Sequence, residues 1–200
     1  MSYRIESLEK LIDMFHKLPS IGQKSAQRLA YYILHQDKEY IKTLTDTIFT
    51  LKDKIKECPI CCNYTETIPC PICASEKRDK SVICVVSELN DLSAIERTND
   101  YKGVYHVLHG IISPLEGKTI DKLRIQELIH RLENSKVNEV ILAINPSMDG
   151  ELTMQYLARI VRQYGIKVTR IASGIPIGAD IELADEATLA RALNYRVEIE

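Results

Sequence analysis

Four cysteines occur in a repeated Cys-Pro-Ile-Cys, at 58–61 and again at 70–73, with eight residues between the pairs. A two-residue spacer lets both sulfurs of a pair reach one ion from a tight turn. Two such pairs can therefore converge Cys58, Cys61, Cys70 and Cys73 on one tetrahedral metal. Soft thiolates in a closed all-sulfur site suit Zn²⁺, one ion per chain. An iron–sulfur cluster takes the same ligand number, and two redox pairs or unrelated buried thiols are the plain alternatives. A closed site leaves no position for water, so its expected role is structural. Cys62 follows Cys61 where such ribbons often carry glycine, and it stands within reach as a substitute ligand. Cys84 lies in a β-branched run and reads as a small buried apolar residue.

A second group of residues could meet phosphate. Between two segments of helical periodicity the chain reads Leu18-Pro19-Ser20-Ile21-Gly22-Gln23-Lys24-Ser25-Ala26. A tight turn there exposes backbone N–H groups at a helix N-terminus, where the helix dipole favours an anion. Lys24 and Arg28 lie one turn apart on that helix, and residues 14–36 contain Lys17 and no acidic residue. The segment resembles the helix-hairpin-helix DNA-binding motif, whose hairpin runs Pro-Gly-hydrophobic-Gly, with Ser20 in place of the first glycine. The resemblance makes Lys17, Gly22, Lys24, Ser25 and Arg28 the DNA-binding candidates. Such contacts grip the backbone and read no bases. The competing reading is a hairpin used for packing or dimerisation.

The carboxylates are the third group. Residues 81–172 resemble a Toprim domain, whose enzymes hold Mg²⁺ with a Glu after the first strand and an Asp-x-Asp after a later one. Here Ser87 stands at the first position with Glu88 displaced by one residue, and Asn145 and Ser147 stand at both Asp positions. Asp149 and Glu151 remain acidic nearby. A neutral amide and hydroxyls do not replace carboxylates as Mg²⁺ ligands, so the expectation is a retained fold without catalysis.

These groups need elements to position them. Apolar spacing predicts helices over 4–18, 24–35 and 39–56, the last carrying Ile41, Leu44, Ile48, Leu51 and Ile55 on one side. Residues 57–79 lose periodicity. Strands at 81–87, 103–109, 139–144 and 166–172 then alternate with helices near 89–99, 121–134 and 150–164, which implies a parallel α/β sheet. The expected organisation is α/β: a helix-hairpin-helix region at 1–56, a four-cysteine zinc module at 57–79, a Toprim-like parallel-sheet domain at 80–172, and a C-terminal segment at 173–200 with a short helix near 186–193. His106 and His109, three apart on a strand, face opposite sides and read as structural or surface residues. The ten tyrosines are scattered and read as core filler.

Composition bounds the rest. With 45% hydrophobic and 27% charged residues the chain is globular. It carries no apolar run of the roughly 18–20 residues that span a bilayer, and acidic residues stand where a signal peptide would be apolar. The expectation is a cytoplasmic protein, where clustered thiols bind metal rather than pair. A net charge of −2 lacks the basic excess usual for a nucleic-acid binder, so any DNA contact rests on a local patch or on several copies.

In this order and at this length, the three modules resemble the RecR family of bacterial recombination mediators. Further matching stretches are Lys24–Arg28, Tyr105–Gly110, Ser113–Leu115, Glu139–Ala143, Thr169–Ala172 and Thr188–Leu193. Ala179 departs from a Gly-Gly pair after Pro176. The resemblance implies no enzymatic activity and a ring-shaped homo-oligomer, a tetramer, that encircles single- or double-stranded DNA. It further implies work with RecO-like and RecF-like proteins to load RecA on gapped DNA. Asp149 and Glu151 would then dock a basic surface of the RecO-like partner. The rivals are a Mg²⁺-dependent Toprim nuclease or topoisomerase-like enzyme using Glu88, Asp149 and Glu151, and an RNA-binding zinc ribbon.

Overall fold

The computed structural model describes residues 5–198, which fall into two compact units divided after Ile55. The first holds three helices, α1 (Glu6–His16), α2 (Gln23–Leu34) and α3 (Lys38–Lys54). Glu6 and Glu9 in the first turn of α1 and His16 in its last complement the helix dipole. Asp37 caps α3 by accepting from the Tyr40 N–H at 2.7 Å. The core of this unit is small: Ile12 of α1 and the two fully buried alanines Ala26 and Ala30 of α2, flanked by Leu8, Leu11, Phe15 and Ile21. Alanines at the contact let the two helices approach closely. By contrast α3 buries none of its residues, and Ile48 and Leu51 on its apolar stripe are more than half exposed.

In the second unit, β1 (Lys56–Glu57) and β2 (Tyr64–Thr65) form a short antiparallel pair, followed by a single helical turn, α4 (Pro71–Ala74). Then come β3 (Asp79–Val86), α5 (Leu89–Glu96), β4 (Gly103–Val107), α6 (Ile125–Asn134), β5 (Glu139–Ala143), α7 (Met148–Gln163), β6 (Lys167–Arg170) and α8 (Glu186–Asn194). The four longer strands make one parallel sheet in the order β4-β3-β5-β6. Alternate residues of each strand feed two cores. Ile83, Val85, Val140 and Leu142 pack with Leu128 and Leu132 of α6 and Leu157 and Val161 of α7. Cys84, Val86, Tyr105 and Val107 pack with Leu92 of α5 on the other face. Burial on both faces explains why β3 is a continuous apolar run rather than an alternating one.

The strands and helices fall where the residue pattern puts them, with shifts that have local causes. The expected strand 103–109 stops at Val107, because His109 takes a left-handed φ of +59°. The expected helix over 121–134 divides into a 3₁₀ turn at Ile120–Lys122 and α6. Helix α7 begins at Met148 because Ser147 caps it, accepting from the Gly150 N–H at 3.1 Å. The turn at Pro176–Ala179 places its left-handed residue at Gly178, φ +82°, as a type II turn requires. Ala179 needs no unusual backbone angle there.

Ser20 does. Its φ is +63°, in the region where a side chain costs about 1–2 kcal/mol and glycine costs nothing. Glycine also frees the unfolded chain, which offsets about 0.4–1 kcal/mol of the gain. Ser20→Gly should therefore stabilise the first unit by roughly 0.5 kcal/mol. Denaturant unfolding followed by helical circular dichroism checks it, and a destabilised variant would mean that the serine side chain makes a compensating interaction.

Candidate metal centre and nucleic-acid interface

The two Cys-Pro-Ile-Cys turns close on each other. The sulfurs of Cys58, Cys61, Cys70 and Cys73 all lie within 4.8 Å of one another, and Cys61 Sγ is 3.6 Å from Cys70 Sγ. A tetrahedral zinc with bonds of about 2.3 Å sets its sulfurs about 3.8 Å apart, so the cage has the size of the ion. All four cysteines are buried. Backbone N–H groups point at the cage, from Cys70 to Cys58 Sγ and from Cys73 to Cys70 Sγ, each at 3.5 Å. Hydrogen bonds from Cys61 and then Cys73 hold the Cys70 thiol down to about 2, so a thiolate is favoured at the centre. The four ligands fit one structural zinc.

Cys62 is not among them. It is buried and takes φ +60°, which is the reason glycine suits this position in a ribbon. Burial, then the nearby charge of Glu57, pushes its thiol up to about 12, and its sulfur is not one of those that converge on the cage. Cys84 is likewise buried, inside the sheet, and burial raises its thiol to about 12.

The ribbon is tied to the sheet through backbone. Val107 N–H, on the outer edge of β4, donates to Cys61 C=O at 2.8 Å. His109 Nε2 meets Cys62 C=O at 2.6 Å and its ring lies 4.8 Å from that of Tyr64. Arg124 reaches back to Glu57 at 2.7 Å. His106 is fully buried, and its Nε2 meets Arg124 C=O at 2.6 Å. Burial lowers its pKa to about 4, so it is neutral and its Nε2–H donates. Both histidines are structural ties. The structural reading of these residues holds, but their partners were not visible in the sequence, because backbone carbonyls across the fold leave no side-chain signature.

The hairpin places its candidates at one helix start. Gly22 precedes α2 with extended angles and no side-chain cap, and Ala26 N–H is the first to bond back, to Gly22 C=O at 2.9 Å. The N–H groups of Gln23, Lys24 and Ser25 therefore lack intrahelical partners. Lys24, Ser25 and Arg28 are exposed on the same turns, and Lys17 is exposed at the end of α1. A Cβ on Gly22 would meet nothing within 4 Å, so no protein atom demands the glycine.

At the C-terminal edge of the sheet the acidic positions have other work. Ser87 is buried with its Oγ unpartnered. Glu88 caps α5 in a reciprocal box with Asp91. Asn145 is exposed, and Ser147 caps α7. Gly150 is demanded by packing, since a Cβ there would sit 1.9 Å from Asn145 C=O. Glu151 lies between two guanidinium groups, Arg170 at 3.3 Å and Arg191 of α8 at 3.1 Å. Arg170 in turn stacks over Tyr195 at 5.3 Å. Asp149 is half-buried in the first turn of α7. Among the described residues, the four cysteines are the only group of three or more His, Cys, Asp or Glu placed to hold a metal.

The purified protein should contain about one zinc per chain, and Cys58→Ser or Cys73→Ser should release it and lower the unfolding temperature. Cys62→Ser, by contrast, should leave zinc content unchanged. Elemental analysis separates the two groups; iron in place of zinc, or loss of metal in Cys62→Ser, would redraw the ligand set.

Comparison with known families and proteins fits this division. Residues 8–51 match the RecR helix-hairpin-helix family, 55–75 the RecR four-cysteine zinc finger domain, 81–172 the Toprim domain and 174–197 the RecR C-terminal family. The chain is 52% identical over 205 residues to the recombination protein RecR of Chloroherpeton thalassium, covering all of both chains. No helix among the described residues is long and apolar enough to cross a membrane. With the four-cysteine zinc site, the hairpin and the parallel α/β domain all in place, the chain belongs to the RecR family of recombination proteins.

Proposed function

We propose that this chain is a non-enzymatic, cytoplasmic recombination mediator that holds DNA and, with RecO-like and RecF-like partners, helps RecA onto gapped or single-stranded DNA. The observation that carries the reading is the start of α2. It offers three N–H groups without helical partners, no acidic residue in the first turn, and Lys24 and Arg28 exposed one turn apart. A phosphate seated there would meet a helix dipole, fixed donors and two mobile cations together. The open space at Gly22 leaves room for a sugar-phosphate backbone to come close.

The uncovered apolar stripe of α3 supports assembly into a homo-oligomer, a ring-shaped tetramer by family resemblance. A closed ring holds DNA by topology and repeats one weak patch several times, which suits a chain whose net charge is only −2. Against the Mg²⁺-enzyme reading, the positions that hold metal in Toprim enzymes are here a buried serine, an amide and a capping hydroxyl. Docking of a RecO-like partner to the acidic edge rests on Asp149, because Glu151 is already engaged by two arginines.

Three outcomes follow for purified protein. Lys24→Ala with Arg28→Ala should weaken binding to all DNA sequences alike and flatten the salt dependence by about 0.7–0.9 for each cation removed from a phosphate. Wild-type affinity in that double variant, read by anisotropy, would remove the hairpin from the interface. Mg²⁺ or Mn²⁺ should produce no cleavage or relaxation of DNA, and nicking abolished by Asp149→Ala would overturn the non-enzymatic reading. Asp149→Lys should reduce binding of the RecO-like partner by about tenfold at moderate salt without changing zinc content or oligomer mass; unchanged pull-down would place the docking site elsewhere.

A further inference from the structure

The strands of a parallel sheet all begin at one edge, so the residues just before and at their starts form a common surface. In the second unit that edge is basic. Lys77 and Lys80 bracket the start of β3, Lys102 immediately precedes β4, and Lys136 lies in the loop before β5. The backbone holds these segments together: Asp79 N–H donates to Lys102 C=O at 2.9 Å, and Asn138 N–H to Ser81 C=O at 2.8 Å. Two shallow grooves flank the start of β3. One of about 410 Å³ is lined by Lys77, Arg78, Lys102 and Asn99, with Glu96 and Tyr101 also in its wall. The other, of about 330 Å³, is lined by Lys80, Arg131, Lys136 and Ser81, with Ile60 of the zinc ribbon on its rim.

The charge at this edge is available. Lys77, Lys80, Lys102 and Lys136 are all exposed, and none pairs with a carboxylate among the described residues. Neighbouring acids are occupied. Glu96 is bound by Arg78, Asp79 accepts from the Ser81 N–H and hydroxyl, and Glu139 is held by Lys167 and Thr169. Glu76 and Asp100 are exposed in the same segments and pair with none of these lysines. Helix C-termini attract cations, and α6 ends two residues before Lys136. That accounts for Lys136 but not for Lys77 and Lys80, which follow only the single turn of α4.

We infer that this edge is a second nucleic-acid surface, distinct from the hairpin, on which Lys77, Lys80, Lys102 and Lys136 contact the phosphates of a DNA backbone. The inference rests on the reading of the chain as a DNA-binding protein but uses other residues in another unit. The grooves are walled mainly by cations and small polar groups, Glu96 being paired with Arg78 and the Tyr101 hydroxyl spent on the Val82 and Val104 carbonyls, and this lining fits a backbone rather than stacked bases. The opposite edge of the same sheet carries Glu88, Asp91 and Asp149. A polyanion therefore attracts one end of this unit and repels the other, which orients the acidic edge away from DNA.

The test uses the full-length protein, with zinc, and a labelled 30-nucleotide single strand and 30-base-pair duplex, by anisotropy across a salt series. The variants are the edge set (Lys77→Gln, Lys80→Gln, Lys102→Gln, Lys136→Gln), the hairpin set (Lys24→Ala, Arg28→Ala) and a matched control (Lys10→Gln, Lys42→Gln, Lys118→Gln, Lys122→Gln). The edge set should lose about 10- to 100-fold in affinity at low salt, lower the salt slope by roughly two or more, and add to the hairpin loss when combined. The control should stay within about threefold of wild type. Wild-type affinity and slope in the edge set overturns the proposal, and so does an equal loss in the control, which would make the effect one of overall charge. Loss in the edge set beside normal binding in the hairpin set would sustain this surface while removing the hairpin. The pair Lys80→Gln, Lys136→Gln repeats the measurement if the fourfold variant loses zinc.

Discussion

One hydrogen bond joins the small metal module to the large sheet: Val107 N–H on β4 to Cys61 C=O at 2.8 Å. Cys61 is a zinc ligand, so its carbonyl is placed by the metal cage, and β4 is the outermost strand of the sheet. The ligands are fixed only while all four thiolates share an ion, which makes the order of the β4 edge a property of the metal site. The contacts of His109 with Cys62 and of Arg124 with Glu57 add to the same seam. Side chains of β4 then feed both cores, through Val104 on one face and Tyr105 and Val107 on the other. A module of some twenty residues with no apolar core of its own thus decides how one flank of a much larger domain is finished.

At the C-terminal edge of the sheet, polar and acidic side chains do structural work. Glu88 and Ser147 satisfy the orphan N–H groups of α5 and α7. Glu151, between Arg170 and Arg191, ties α8 to the sheet, a helix that buries none of its own residues. Positive charge at this edge comes from arginine side chains. The structural role is concentrated in Glu151, while Asp149 is left with no ion pair among the described residues.

Much of this was legible in the residues themselves. The cysteine spacing carries its geometry with it, because a two-residue spacer restricts how two sulfurs can be placed. The apolar run of β3 and the 3.6-residue period of α6 and α7 follow from burial on fixed faces. The hairpin was readable from Pro19, Gly22 and the neighbouring cations, while the left-handed backbone at Ser20 comes from the structure. What the sequence hides are contacts between distant backbone atoms, such as Val107 with Cys61, since every residue but proline carries the same amide. Pairings such as Glu151 with Arg191 are hidden for a related reason: a charged residue in a helix looks alike whether it faces water or a partner. The exposure of the α3 stripe was also unreadable, because apolar periodicity reports that a face wants cover and not what supplies it.

The outer flank of β4 has a consequence beyond local order. The far edge of the sheet, β6, is short and begins and ends with Lys167 and Arg170, charges that discourage another strand from adding alongside. The β4 flank is guarded differently: Gly103–Val107 is apolar apart from His106 and entirely buried, and its Gly103 and Tyr105 carbonyls accept from Arg78 and Arg131. At the Val107 end the cover, among the described residues, is the ribbon, through the Cys61 carbonyl. A chain stripped of zinc would leave the Val107 end of this strand open to pairing, while the two arginines still hold the Gly103 and Tyr105 carbonyls. The metal thereby completes a guard that side chains begin, closing the part of the strand that no arginine reaches.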